Sequence, residues 1–152
     1  MPVRIESVLG FRELNAGLTI LPMHANTMQK PLTLHPALPD LCKLDYPAAY
    51  SHYKYAEADG LERGDFILLE RIDVTDIGIM IARGDPRRKF DLYAITKALR
   101  RMADLDLHNK YTIAFPALGF YKEDGIDIKN VYKMVKKFLG NGSKTVYFVL
   151  NY

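Results

Sequence analysis

Apolar positions are nearly continuous from Leu18 to His24, with Gly17 before them and a polar stretch after. A run of that kind suits a strand covered on both faces, in the middle of a sheet. Val3 to Val8 instead alternates, with Val3 and Ile5 set against Arg4 and Glu6, as expected of a shorter strand nearer an edge. Leu38 to Leu44 and Pro47 to Asp59 read as helices, the second with Pro47 in its first turn and Gly60 just past its end. Phe66 to Arg71 and Ile77 to Ala82 are short β-branched or aromatic runs joined through the turn formers of Asp73 to Asp76, a pattern that predicts a hairpin.

Helical spacing returns at Leu92, Ile95, Leu99 and Met102, with Lys97, Arg100 and Arg101 on the opposite side and Asp91 as the cap. Tyr111 to Phe115 predicts a strand that must stop at Pro116-Ala117-Leu118-Gly119. Ile128, Val131, Val135 and Phe138 predict a further helix, capped by Asp127 and ended by Gly140-Asn141-Gly142, and Lys144 to Leu150 predicts the last strand. Strands alternating with helices imply right-handed crossovers and a largely parallel sheet with helices on both faces. Ligands of such sheets bind beyond the carboxyl ends of the strands. Two loops are thereby singled out, the one after Leu18 to His24 and the one after Tyr111 to Phe115.

Composition narrows the picture. With 152 residues, 49% of them hydrophobic and 26% charged, the chain is expected to form one domain over residues 1–152 with one sizeable core. No apolar run reaches the ~18 residues of a membrane span, and the N-terminus lacks the order of a secretory signal, so a soluble, cytoplasmic protein without a membrane partner is expected. Cys42 is the single cysteine, which excludes an intrachain disulfide and a thiolate cluster; its apolar helical setting reads as core. The net charge of +3 is mild, but cations gather at Arg83 to Lys89, Lys97 to Arg101 and Lys129 to Lys137. The last two groups read as solvated helix faces.

The two loops carry a resemblance. Leu21-Pro22-Met23-His24-Ala25-Asn26 and Ile113-Ala114-Phe115-Pro116-Ala117-Leu118-Gly119 resemble the macro-domain family, whose signature is a buried strand ending in an asparagine-containing loop and a later strand ending in a Pro-x-hydrophobic-Gly turn. Tyr46-Pro47-Ala48-Ala49-Tyr50, Leu61-Glu62-Arg63-Gly64-Asp65 and Asp91-Leu92-Tyr93 follow in the family's order. The succession is similar to the branch containing terminal ADP-ribose glycohydrolases and ADP-ribose-1″-phosphate phosphatases, and spans roughly Ile5 to Leu150. The resemblance implies a three-layer α/β/α fold with a mixed, mostly parallel central sheet. It also implies ADP-ribose or a related nucleotide as ligand, with no separate cofactor and no metal.

The residues implied for binding are His24, Ala25 and Asn26 in the first loop. In the second they are Pro116, Ala117, Leu118, Gly119, Phe120, Tyr121, Lys122 and Gly125. A diphosphate is held by backbone N–H groups from tight turns and a helix N-terminus, and Gly119 and Gly125 permit close approach. Phe120 and Tyr121 can lie against a ribose or adenine, or can simply cover the local core. For hydrolysis the candidates are Asn26, His35 and Asp124, with His24 and Asp127 as alternatives for the last two, which would place a water beside a held phosphate. His24, at the end of a buried strand, and His35, in a proline-containing loop, also suit structural roles. Asp127 is accounted for as a helix cap.

The chain departs from the family pattern in four places. In the second loop Gly119-Phe120-Tyr121-Lys122-Glu123-Asp124-Gly125, longer and more charged, replaces the usual Gly-x-Gly continuation. Asn26 is followed by Thr27-Met28-Gln29-Lys30-Pro31-Leu32-Thr33-Leu34-His35, a stretch without glycine. Leu9-Gly10-Phe11 stands where the family carries the aspartate that holds adenine. Ile81-Ala82-Arg83-Gly84-Asp85 stands where the glycohydrolase branch has a nucleophilic lysine, and a permanently protonated arginine cannot form that adduct. Two alternatives therefore stay open beside an ADP-ribose hydrolase or phosphatase. One is a module that binds without turnover. The other is a degenerate scaffold that binds RNA or a protein through Arg83, Arg87, Arg88 and Lys89.

Overall fold

A computed structural model describes residues 3–10, 14–24, 45–83, 92–116 and 128–151. Six strands form one sheet: β1 (Val3–Gly10), β2 (Leu18–His24), β3 (Phe66–Leu69), β4 (Asp76–Arg83), β5 (Ile113–Pro116) and β6 (Val146–Asn151). Their order is β1-β6-β5-β2-β4-β3. Every neighbouring pair is parallel except β3 with β4, which are antiparallel. The helices are α1 (Pro47–Asp59), α2 (Leu92–Asp104), the single turn α3 (Leu107–Lys110) and α4 (Ile128–Leu139).

Strand periodicity sorts the side chains into two cores. Leu18 and Ile20 of β2, Met80 and Ala82 of β4, Ile113 and Phe115 of β5, and Val146 and Phe148 of β6 meet α2, α3 and α4 on one face. Leu21, Met23, Ile77, Ile79, Ile81, Ala114 and Val149 meet Ala49 and Tyr53 of α1 on the other. Gly78 lies within β4 because a Cβ there would come within 2.8 Å of both Ile20 Cδ1 and Phe66 Cζ. The mixed, mostly parallel sheet between helical layers agrees with the expected α/β/α class. No helix among the described residues is long and apolar enough to cross a membrane.

β2 lies between β5 and β4, and the buried residues of its two faces account for its continuous apolar run. β1 is an edge strand, as its alternation predicts, but Ile5 is 57% exposed: the helical core reaches Val3 and stops short of it. α1 matches its expected bounds. Its N-cap residue Tyr46 makes no side-chain cap, and the N–H of Ala49 instead donates to Asp73 Oδ2 at 3.0 Å, a cap supplied from the β3–β4 connection.

Several expectations need correction. β3 ends at Leu69 rather than Arg71, because Arg71 takes a left-handed φ of 58° and its N–H donates to Asp76 Oδ1. Asp76 opens β4 rather than closing the turn. β5 begins at Ile113; ahead of it the Tyr111 hydroxyl donates to Asp76 and the Thr112 hydroxyl oxygen accepts the N–H of Gly17. β6 begins at Val146 and runs to Asn151. Leu92 is exposed, and the buried set of α2 is Ala94, Ile95, Ala98, Leu99 and Met102. In α4 the buried set is Val131, Val135 and Leu139, leaving Ile128 and Phe138 half-buried. α3 was not expected; four residues are too few to show a period. The expected helix at Leu38 to Leu44, the caps Asp91 and Asp127, and Cys42 lie outside the described residues.

Candidate functional site

All five mutually parallel strands end on the same edge of the sheet, at Gly10, Asn151, Pro116, His24 and Arg83, taken in sheet order. From β2 the chain proceeds through α1 to β3 and β4 on one side. From its neighbour β5 it proceeds through α4 to β6 on the other. Adjacent strands whose continuations diverge leave a crevice between them, and here the divergence falls between β2 and β5.

The seam between these two strands is short. Their register covers Leu18 opposite Ile113 and Thr19 opposite Ala114, whereas β2 stays in register with β4 through Met23. Two prolines account for the early end. The N–H of Leu18 donates to the Thr112 carbonyl on the β5 side, so alternation along β2 turns position 22 toward β5 as well. The N–H of Ile113 donates to Thr145 on the β6 side, so position 116 faces β2. Pro22 and Pro116 therefore each lack a donor toward the other strand at the carboxyl end of the seam, where a ladder would otherwise continue. Pro22 is tolerated in a central strand because its paired side, toward β4, uses the alternate residues.

Of the residues singled out from sequence, Pro116 is buried at the end of β5, and His24 ends β2 opposite Arg83 of β4. Ala25, Asn26, His35, Ala117, Leu118, Gly119, Phe120, Tyr121, Lys122, Asp124 and Gly125 lie outside the described residues. Asn151, the last residue of β6, joins this edge beside Gly10 and was not anticipated. Applying the carboxyl-end rule to every parallel strand would have found it. At the same end of β1 the Glu6 carboxylate accepts the N–H groups of Val8 and Leu9, both at 2.8 Å. These bonds hold its pKa below the ordinary value, against a small opposing effect of burial. Glu6 is thereby committed to shaping the irregular end of β1, where the register to β6 shifts between Glu6 and Gly10.

Comparison with solved structures gives the architecture a name. The macrodomain of Thermus aquaticus DarG superposes with a TM-score of 0.75 at 16% identity, covering 99% of this chain and 99% of that one. The chain has the macro-domain fold. A macrodomain protein from Streptomyces coelicolor is similar at a TM-score of 0.70 and 14% identity, covering 98% of this chain and all of that one. Thermosipho africanus DarTG in complex with ADP-ribose gives a TM-score of 0.74 at 16% identity, over 92% of this chain and 39% of that larger one. No family model and no curated relative matches the sequence. The macro-domain fold agrees with the architecture that the resemblance of the two loops implied.

Proposed function

We propose that this chain is a macro domain that binds ADP-ribose, or a derivative of it, across the seam between β2 and β5. The observation that carries the reading is the opened carboxyl end of that seam. The connections diverge at this seam, the position where sheets of this class bind ligands, and Pro22 and Pro116 end the ladder between its strands early. The presence of ADP-ribose in the structurally similar Thermosipho africanus DarTG supports the choice of ligand. In this reading His24, Ala25 and Asn26 meet the ligand from β2. Pro116, Ala117, Leu118, Gly119, Phe120, Tyr121, Lys122 and Gly125 meet it from β5. Backbone N–H groups of the second loop hold the diphosphate, Lys122 adds a cation, and Phe120 and Tyr121 flank a sugar or base.

The finer reading is hydrolysis of an ADP-ribose derivative, as in an ADP-ribose-1″-phosphate phosphatase, with Asn26, His35 and Asp124 placing and activating the water. The second reading is binding without turnover, and Arg83 favours it. Arg83 ends β4 beside His24, where the glycohydrolase branch would need a lysine nucleophile. Titration with ADP-ribose by calorimetry, together with a phosphate-release assay on ADP-ribose-1″-phosphate, separates the two. Saturable heat with released phosphate, lost in Asp124→Asn, supports hydrolysis. Saturable heat without phosphate leaves a binding module.

A further inference from the structure

The outer surface of the α2–α4 layer carries a charge pattern unrelated to the seam. α2 presents Lys97, Arg100 and Arg101, and α4 presents Lys133, Lys136 and Lys137, so both helices repeat one i, i+3, i+4 triplet of exposed cations. With Lys129 these helices hold seven cations and one acid, Asp104. The whole chain has 21 Lys and Arg against 18 Asp and Glu, so the remainder holds 14 cations against 17 acids. The positive charge is thus concentrated on one face, and the rest of the molecule is net negative.

The two triplets meet at an aromatic ring. The Arg100 guanidinium lies 5.9 Å from the centroid of Phe138, and Lys137 Nζ lies 5.6 Å from the same ring. Lys136 Nζ stands 5.9 Å from the Tyr132 ring. These contacts orient cations from both helices side by side. Among the described residues none of the six triplet cations forms an ion pair. Favourable placement at helix C-termini accounts for Arg101, Lys136 and Lys137 in the last turns, but not for Lys97, Arg100 or Lys133. On its far side the α2 triplet lines a groove of about 470 Å³ against β3, together with Gly64, Asp65, Phe66 and Ile67.

We propose that this face binds the phosphodiester backbone of duplex nucleic acid. Packed helices lie ~8–10 Å apart, so the triplets form two short rows of cations that can meet the phosphate rows flanking a groove of the duplex. The rings of Phe138 and Tyr132 between the two rows are engaged by cations, and Tyr93 at the start of α2 is the exposed ring nearest them among the described residues; one ring beside six cations favours a duplex over a stacked single strand. Binding is independent of sequence, because the six cations are placed to meet phosphates rather than base edges. α4 carries its triplet in the C-terminal half of a helix that runs back from the carboxyl edge, whereas on α2 Lys97 lies against Gly64, whose N–H donates to Ile81 near the carboxyl end of β4. The face is the outer surface of the helical layer, and the β2–β5 seam lies apart from it at the ends of two central strands.

The test is fluorescence anisotropy of a labelled 20-base-pair duplex DNA titrated with the protein between 50 and 200 mM salt. With ~4–6 phosphates neutralised, log K should fall against log salt with a slope of about −4 to −5. The triple variant Lys133→Gln, Lys136→Gln, Lys137→Gln replaces exposed side chains and should weaken binding at least ~10-fold and flatten the slope by about 2 to 3. Lys54→Gln on α1 should leave both unchanged, as should saturating ADP-ribose. Circular dichroism and melting of the triple variant verify its fold. The proposal is overturned if the duplex does not bind at 50 mM salt, or if the triple variant binds like the parent. It is equally overturned if a single strand binds more tightly, or if polyglutamate displaces the duplex at equal charge, which would point to an acidic protein partner.

Discussion

Replacing Phe115 by Ala probes the part of the sheet that carries the second loop. Phe115 is fully buried and stacks on Phe148 with centroids 5.9 Å apart and planes 11° from parallel; Tyr132 meets Phe148 edge-on at 5.3 Å. Truncating a fully buried phenylalanine removes its transfer free energy and leaves a cavity that neighbouring strands cannot close, at a cost of about 3–5 kcal/mol. For a domain of this size each kcal/mol lowers Tm by about 2–4 °C, so the variant should melt roughly 6–20 °C below the parent in scanning calorimetry. The stacked pair adds a coupling of about 0.5–1.5 kcal/mol, readable from urea unfolding of Phe115→Ala, Phe148→Ala and the double variant. The double variant should lose less than the sum of the singles by that amount. A loss under about 1 kcal/mol for Phe115→Ala, or strict additivity of the pair, would refute this packing of β5 on β6.

Asp73→Ala removes the distant cap on α1 and should cost about 1–2 kcal/mol by urea unfolding, more than an exposed turn aspartate would; a neutral result would contradict the cap. Gly142→Ala would place a Cβ 2.3 Å from the His108 carbonyl oxygen, a backbone atom that also accepts the N–H of Lys144. A loss of about 1–3 kcal/mol is expected in the same assay. Tyr111 is pushed up to about 12, chiefly by burial and then by donating to Asp76 Oδ2 at 2.7 Å. Its ionised form is thus disfavoured in the fold. The stability it contributes is complete below pH 10 and lost as pH rises toward about 12, so Tm should fall across that window. Tyr111→Phe should flatten the fall, and an unchanged alkaline slope would exclude this tyrosine as its source.

The central strand was legible from its unbroken apolar run, the hairpin from β-branched runs around turn formers, α1 from Pro47 and Gly60 at its ends, and α2 and α4 from helical spacing, all of them properties of the local sequence. What escaped depends on tertiary partners. Asp73 reads as a turn former, yet its carboxylate serves a helix 24 residues away. Tyr111 and Thr112 read as strand, yet β5 starts at Ile113 and their side chains bond across to Asp76 and Gly17. Ile5 reads as inward, but its burial depends on how far the helical layer extends over an edge strand. For the candidate site, the carboxyl-end rule pointed to β2 and β5, the two neighbouring strands at which the connections diverge. The reason they part was not legible, because the facing of Pro22 and Pro116 depends on which neighbour each strand has.

Calorimetric titration with ADP-ribose tests the central claim most directly, with Asn26→Ala and ADP alone as comparisons. A crevice at the β2–β5 seam that holds the whole ligand predicts saturable heat at a stoichiometry of one, weaker binding of ADP, and a loss of at least ~10-fold in affinity for Asn26→Ala, about the 1.4 kcal/mol expected of a hydrogen bond to a charged or buried group. No heat and no thermal shift at millimolar ADP-ribose would contradict it.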